Sequence, residues 1–546
     1  MTSTADPGEG GCTKGECTLR EALVAANATP EADEVVFGAR ARGAIALRSA
    51  LPPIASPLVL DGARDDGTPG VDLARGAAPL DASGLVFAAG SEGSVLRGLV
   101  VRGFGRSGVV VASADVTVEA CWIGTDANGE GADGNGVGIA VEGPGGARVG
   151  GPEASRRNVL SGNRVGLQIT SSGGNVVVGN YVGTDAGGLR ALPNGIGLLI
   201  VDAPDNVVGG ELLEEANVVS GNTLVGIWIQ GPHATGNVVV ANLVGLDADG
   251  REPLGNAVGV RVDAGASGTL VGSDDSLSPG NFVAGNGTGV VIEANDNVVA
   301  GNAVGVRVDG TRVGNAGPGV VIVGRGNRVA RNRVEGSGGD GIVVLAGGRN
   351  TLSRNAIAGS GALGIDLYDN GATPNDPGDG DHGANDGQNH PVLDAVAPGS
   401  RRVAGSLDLA PSTRVRVEVF ESESCDPDGT GEGFVFLGET TVEASRRGET
   451  RFAATLRSPL PGRALTATAT DLDTGATSEF SPCVKVPEAR AASLGGVGPI
   501  RRQGFTSPSA TMLLLSASLA LAGPCADLDS TPRRTGRRSR RSSRSR

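Results

Sequence analysis

The stretch NVVVGN, residues 175–180, decides how this chain folds, because close copies of it recur along the sequence. They read NVLSGN at 158–163, NVVSGN at 217–222, NVVVAN at 237–242, NFVAGN at 281–286, NVVAGN at 297–302, NRVARN at 327–332 and NTLSRN at 350–355. Each is followed, directly or after an insert, by a glycine and an alternating apolar run, as in GLQI at 166–169, GIWI at 226–229 and GIVV at 341–344. An alternation of period two puts one side chain in and the next out, which is the pattern of a strand. Runs this short bury too little to stand alone, so they must stack on copies of themselves. Parallel stacking at about 4.8 Å turns the inward Val, Leu and Ile into continuous ladders. The expected fold is all-β, a right-handed parallel β-helix. The second asparagine of each unit, Asn180, Asn242, Asn302, Asn332 and Asn355 among them, is expected at a corner. There an amide tolerates the left-handed conformation and bonds its neighbour's amide as an asparagine ladder.

Composition agrees with many short strands and tight turns. Of 546 residues 92 are Gly and only 3% are aromatic. The net charge of -14 hides a polarity, since eight arginines lie between Arg533 and Arg546 and the rest of the chain therefore carries -22. An acidic body repels nucleic acid and anionic membranes, so no nucleic-acid partner is expected. Cys12 and Cys17 lie five apart, and Cys425 and Cys483 bracket a later region. Two disulfides in an oxidising compartment fit this placement and leave Cys121 and Cys525 single; free thiols and a weak zinc pair are the competing readings.

Acidic loops recur as GTDANGEGADGNG at 124–136, GTDAGGLRALPNG at 183–195 and GLDADGREPLGNA at 245–257. A calcium ladder, a row of catalytic carboxylates and plain turn chemistry are the three readings. Coil units recur at roughly 20 to 32 residues. Asp126, Asp185 and Asp247 are about 60 apart, so their loops sit at least two coils, about 9.6 Å, from one another. No single calcium ion bridges that gap. Turn chemistry is the reading adopted, with Asp capping its own backbone; calcium is possible but unsupported, and no cofactor is expected.

An open β-helix end is an unpaired edge and needs a cap. CTLREALVAAN at 17–27 supplies one, since Thr18 and Glu21 have the spacing of a capping box and Leu19, Ala22, Leu23 and Ala26 share a helical face. This stretch, preceded by STADPGEGGC at 3–12, resembles the CSLREA motif near the start of secreted and surface right-handed β-helix repeat proteins, mostly bacterial. The resemblance covers about residues 2–395 and implies architecture more than activity. It implies an extracellular or cell-surface setting, although no secretory signal is visible in these letters.

The expected organisation is a cap over 1–33, a β-helix over 34–371, an Asp, Gly and Pro linker over 372–401, a sandwich over 402–487 and a disordered tail over 488–546. Within the linker, Asp376, Asp379, Asp381 and Asp386 are read as a solvated acidic loop rather than a calcium site. From about 402 the strands lengthen, as in TRVRVEVFE at 413–421, with Val415, Val417 and Val419 facing a core and Arg414, Arg416 and Glu418 facing water. The segment resembles an immunoglobulin-like module stapled by Cys425 and Cys483. MLLLSASLALAG at 512–523 is too short for a membrane span, which needs about 20 residues.

Catalytic candidates are thin. RDDG at 64–67 and SDDS at 273–276 lie in turn-like settings, and His233, His382 and His390 have no visible partner. Trp228 alternates with inward Ile227 and Ile229 and so faces out; Trp122 and Tyr181 precede equivalent inserts and make a short exposed aromatic row conceivable. The function expected is a noncatalytic, monomeric extracellular rod presenting surface for adhesion to a glycan or matrix component, with no catalytic and no metal residues. The alternative is a polysaccharide lyase or glycoside hydrolase, which would show carboxylates converging in a groove.

Overall fold

A computed structural model of the chain describes residues 1–6, 11–13, 15–275, 279–426, 429–445, 449–458 and 463–487. Three parallel sheets wind as one solenoid. Face A runs over twelve strands from Asp33–Val36 to Thr351–Ser353, face B over twelve from Gly43–Ala46 to Ala356–Ala358, and face C over eleven from Leu85–Phe87 to Ile365–Leu367. The inward alternation becomes a ladder. On face C, Ile139, Leu167, Leu198, Ile227, Val260, Val290 and Val320 stand in register on successive strands and are at most 1% exposed. The residues between them point outward, ending in the series Trp228, Arg261, Val291, Val321, Val343 and Asp366.

Asparagines line three corners of the coil, not one. The first ladder runs Asn158, Asn180, Asn217, Asn242, Asn281, Asn302, Asn332, Asn355, each Nδ2 donating to the next Oδ1 at 2.9–3.0 Å. The second includes Asn135, Asn163, Asn194, Asn222, Asn256, Asn286 and Asn315. The third includes Asn175, Asn206 and Asn237, then Asn297, Asn327, Asn350 and Asn385. The repeated hexapeptide thus occupies two settings. At 175, 237, 297, 327 and 350 it spans a face A strand, whereas at 158, 217 and 281 it spans face B. The two differ because every corner wants the same amide. The expected left-handed asparagine is also corrected: in the first ladder the residue before it takes positive φ, as at Gly179, Ala241, Gly301, Arg331 and Arg354. The asparagine keeps its ordinary backbone, which leaves its side chain aimed along the rod axis.

The acidic inserts are hairpin-like, closed by bridges Thr125 to Ala132, Thr184 to Ala191 and Leu246 to Pro253. A fourth, Val306 to Arg312, has Arg307 where the others have Asp and is not visible as a repeat of them. Although their coils are two apart, the inserts touch: Ala186 N–H donates to Gly129 O at 2.9 Å and Ala248 N–H to Gly188 O at 2.9 Å. The separation read from spacing holds for the coils but not for the loops, which bend over the insert-free coil between them. Beneath them Trp122, Val159, Tyr181, Val218 and Leu243 stack outward on face B and form a small external core with Ala186 and Ala248 from the inserts. The aromatic row is therefore covered rather than exposed.

Helix α1, Leu19–Ala26, begins with the capping box, Glu21 N–H donating to Thr18 Oγ1 at 3.3 Å and Thr18 N–H to Glu21 Oε2 at 2.8 Å. Leu19, Ala22, Leu23 and Ala26 are buried in the solenoid core. Cys12 bonds Cys17, and Cys425 bonds Cys483. Cys121 is buried without a disulfide, and burial pushes its thiol up to about 12. Cys525, the apolar run at 512–523 and the arginine-rich end lie outside the described residues.

Two antiparallel sheets follow the solenoid, one over Val392–Leu393, Arg402–Leu407 and Thr450–Thr455, the other over Arg414–Ser422, Val435–Glu443, Ala464–Asp471 and Val484–Lys485. Val415, Val417 and Val419 are buried between them. Glu418 does not face water; it is fully buried against the last coil, accepting from Ser353 Oγ and Arg354 N–H at 2.8 Å. Glu432 accepts from the N–H groups of Gly359 and Ser360, and Glu479 from those of Leu367 and Thr373. Edge amides at the ends of all three faces thus find carboxylate acceptors, the requirement that the open edge imposes. The acidic stretch of the linker is not simply solvated either: Asn385 ends the third ladder and donates to Thr477 O at 2.6 Å, and Asp379 accepts from Asn389 N–H and Gln388 Nε2 at 2.7 Å.

Candidate active site

The solenoid's last coil departs from its own repeat. Where face C presents Val291, Val321 and Val343 outward, the final strand Ile365–Leu367 presents Asp366. The chain then turns through Tyr368 and Asp369 with φ of 82° and 57°. Two successive non-glycine residues in the left-handed region cost of order 1–3 kcal/mol each, a strain that clusters at functional sites. This turn brings Asp369 beside Asp366 and beside Asp340 from the coil below, with oxygens of all three within 4.8 Å of one another. They line a recess of about 430 Å³ with Ser360, Leu363 and Asp426.

Asp340 is 5% and Asp366 3% exposed. Burial raises the pKa of both above the ordinary aspartate value, and their neighbouring carboxylates add to it. Their hydrogen bonds differ. Asp366 accepts from Gly371 N–H at 2.9 Å and Asn370 N–H at 3.3 Å, whereas Asp340 accepts from Leu363 N–H alone at 2.7 Å. Donors favour the charged form, and burial outweighs them in both. Glu479 lies behind, buried, its carboxyl likewise raised by burial. No Arg or Lys is among the lining residues. The three aspartates have the spacing to surround a cation, as do Asp376, Asp379 and Asp381.

The residues singled out in the sequence lie elsewhere. Asp126, Asp185 and Asp247 each accept N–H groups of their own insert, as from Asn128, Leu189 and Arg251 at 2.8–3.0 Å. Those bonds outweigh burial and hold Asp126 and Asp185 below the usual aspartate value, with Arg190 helping the latter. Asp66 of RDDG accepts from Thr68, and Asp274 of SDDS pairs with Arg328 and Arg331. His233 is exposed, its Nδ1 3.3 Å from Asp202, and His390 is lowered by burial. Trp228 faces outward as its alternation requires, under Arg261 at 5.1 Å. Reasoning from spacing missed Asp340, Asp366 and Asp369. The available signal was IDL at 365–367, where the three coils before it write Val291, Val321 and Val343 outward.

No family model and no curated protein matches the chain. Solved structures do. An Azotobacter vinelandii mannuronan C-5 epimerase A-module is 15% identical with a TM-score of 0.38, covering 66% of this chain and 95% of that one. The enzymatically active domain of tailspike protein 2 of bacteriophage CBA120 is 12% identical with a TM-score of 0.33, covering 84% and 72%. The catalytic unit of an α-1,3-glucanase from Streptomyces thermodiastaticus is 12% identical with a TM-score of 0.26, covering 68% and 69%. The likeness is one of fold. The parallel β-helix itself stands on the chain's own stacked sheets. The expectation of a noncatalytic rod without converging carboxylates is corrected here, because Asp340, Asp366 and Asp369 do converge in a recess at the last coil. Spacing among the inserts could not reveal this, since the site is built from the coil end.

Proposed function

We propose that the chain is an extracellular glycoside hydrolase acting on a polysaccharide without strong negative charge. The observation that carries this is the convergence of Asp340, Asp366 and Asp369 in one recess. Hydrolysis of a glycosidic bond needs one carboxyl that carries a proton and one that is ionised. Asp340, the more weakly solvated by donors, would protonate the leaving oxygen. Asp366, held by two backbone N–H groups, would act as nucleophile or base. A recess lined by aspartates and no cation repels uronates, which argues for a hydrolase over a lyase of an acidic polymer. The chemistry calls on no cofactor. Two disulfides support an oxidising, extracellular setting, and the CTLREAL helix keeps its resemblance to secreted CSLREA proteins. The antiparallel module is proposed as immunoglobulin-like, and a glycan as the partner of a monomer; among the described residues no helix is long and apolar enough to cross a membrane.

Reducing-sugar release from neutral, uronate-containing and sulfated polysaccharides tests the reading. Neutral polymers should be cut, with Asp340→Asn and Asp366→Asn each lowering kcat by roughly 10²-fold or more. Activity should fall on the alkaline side, at a pH above the ordinary carboxylate range, because a proton held by a raised carboxyl must be present. Absence of release from every polymer, or unaltered rates in both variants, sinks the proposal.

A further inference from the structure

On face A, at the seam with the antiparallel module, four arginines line one recess of about 250 Å³: Arg328, Arg331, Arg354 and Arg416. Its other lining residues are Ala330, Thr351 and Ser353, so no carboxylate lines it. In a chain of net charge -14 such a convergence of cations runs against composition. Their origin is also unusual. Arg328 and Arg331 come from the last coil but one, Arg354 from the last, and Arg416 from the module's strand Arg414–Ser422. Arg331 and Arg354 occupy the left-handed corner, with φ of 55° and 53°, where the coils before them place Gly179, Ala241 and Gly301. An arginine there is strained where glycine would not be, and such outliers persist where function maintains them.

The carboxylates that meet these guanidinium groups are not themselves lining residues of the recess. Asp274 pairs with Arg328 and Arg331, Glu439 with Arg354 at 3.0 Å, and Glu418 with Arg416 at 3.2 Å. Arg416 Nε, although that close to Glu418, is buried and makes no hydrogen bond. Thr351 Oγ1 and Ser353 Oγ are already committed, to Gly475 O and Glu418. The guanidinium groups, each already paired with a carboxylate, are therefore the cationic lining an occupant would meet by displacing or sharing those partners, and their forks match tetrahedral oxyanions in bidentate fashion. We infer that this recess is a binding site for a sulfate or phosphate group, distinct from the aspartate recess on face C and independent of the hydrolase reading. Asp274 acts as its internal rival, holding Arg328 and Arg331 when the anion is absent.

The test uses the full chain, titrated calorimetrically with sodium sulfate and sodium phosphate against chloride at matched ionic strength. Chondroitin sulfate and the same polymer after desulfation form a second arm. Sulfate or phosphate should bind where chloride does not. Arg331→Gly and Arg354→Gly should each weaken binding roughly tenfold or more, yet leave the thermal midpoint without anion unchanged or raised, because glycine relieves the corner. Arg416→Gln should weaken binding, and Asp274→Asn should tighten it. Tighter retention of the sulfated polymer than of free sulfate assigns the group to a glycan; equal retention assigns it to a small anion. Should Arg416→Gln fail to fold, the two glycine variants still decide. Binding no better than chloride, or glycine variants that bind as the parent does, overturns the inference.

Discussion

Asn217 shows how much one side chain carries in this fold. It is fully buried; its Nδ2 donates to Val177 O and Asn242 Oδ1 at 2.8 and 2.9 Å, and its Oδ1 accepts from Asn180 N–H and Nδ2 at 3.0 and 2.9 Å. Asn217→Ala orphans buried groups on both neighbouring coils, and each orphan costs about 1–3 kcal/mol. We expect a loss of about 3 kcal/mol or more, read as a lowered urea midpoint. Asp379 makes the opposite kind of contribution. Burial raises its carboxyl from 3.8 to about 6 against the donors Asn389 and Gln388. The folded chain therefore binds that proton more tightly than the unfolded chain. Stability from this group is present at acid pH and is lost as pH rises from about 4 to about 6. Asp379→Asn should flatten the decline in that window and stabilise at neutral pH, as thermal midpoints across pH would record. The ladder asparagines were legible because one residue type recurs beside the same valine. Asp379 was not, because an acidic, glycine-rich stretch reads alike whether a second module buries it or water surrounds it.

Among elements, the inserts are the least predictable from their letters. Their turn chemistry follows from Asp and Gly at fixed offsets, but their purpose follows from Trp122, Tyr181 and Leu243, which lie on another strand and face outward. An apolar residue pointing out of a strand reads as exposed until something is found to cover it. Gly188, at φ 72°, sits against the Tyr181 ring, and a Cβ there would meet the ring at 2.6 Å and Ala248 at 2.6 Å. Gly188→Ala should therefore lift the insert and destabilise the chain by about 1–3 kcal/mol, while Tyr181 fluorescence and local hydrogen exchange report the opening. The parallel stack itself was legible from the period of two and the repeat. The site was not, because Asp340, Asp366 and Asp369 come from two coils and a strained turn, and only one of them interrupts a visible pattern.

At the scale of the molecule, the solenoid ends in a surface of strand edges that Glu418, Glu432 and Glu479 occupy. Replacing all three by alanine leaves those amides without acceptors. The variant should self-associate through the freed edge, seen as concentration-dependent light scattering that the parent lacks. The sequence announces two architectures through a change of period near residue 402, but it does not announce their joint, since a glutamate on an alternating strand looks solvent-facing. The inserts carry one more consequence. Because each rests on the next across an intervening coil, the insert-bearing stretch of the rod can be shortened only in twos. Deleting residues 175–236 would set the insert at 125–132 onto that at 246–253 and keep the outer seam closed, whereas deleting 175–205 would leave the seam gaping. This protein's growth and loss of length should accordingly come in pairs of turns.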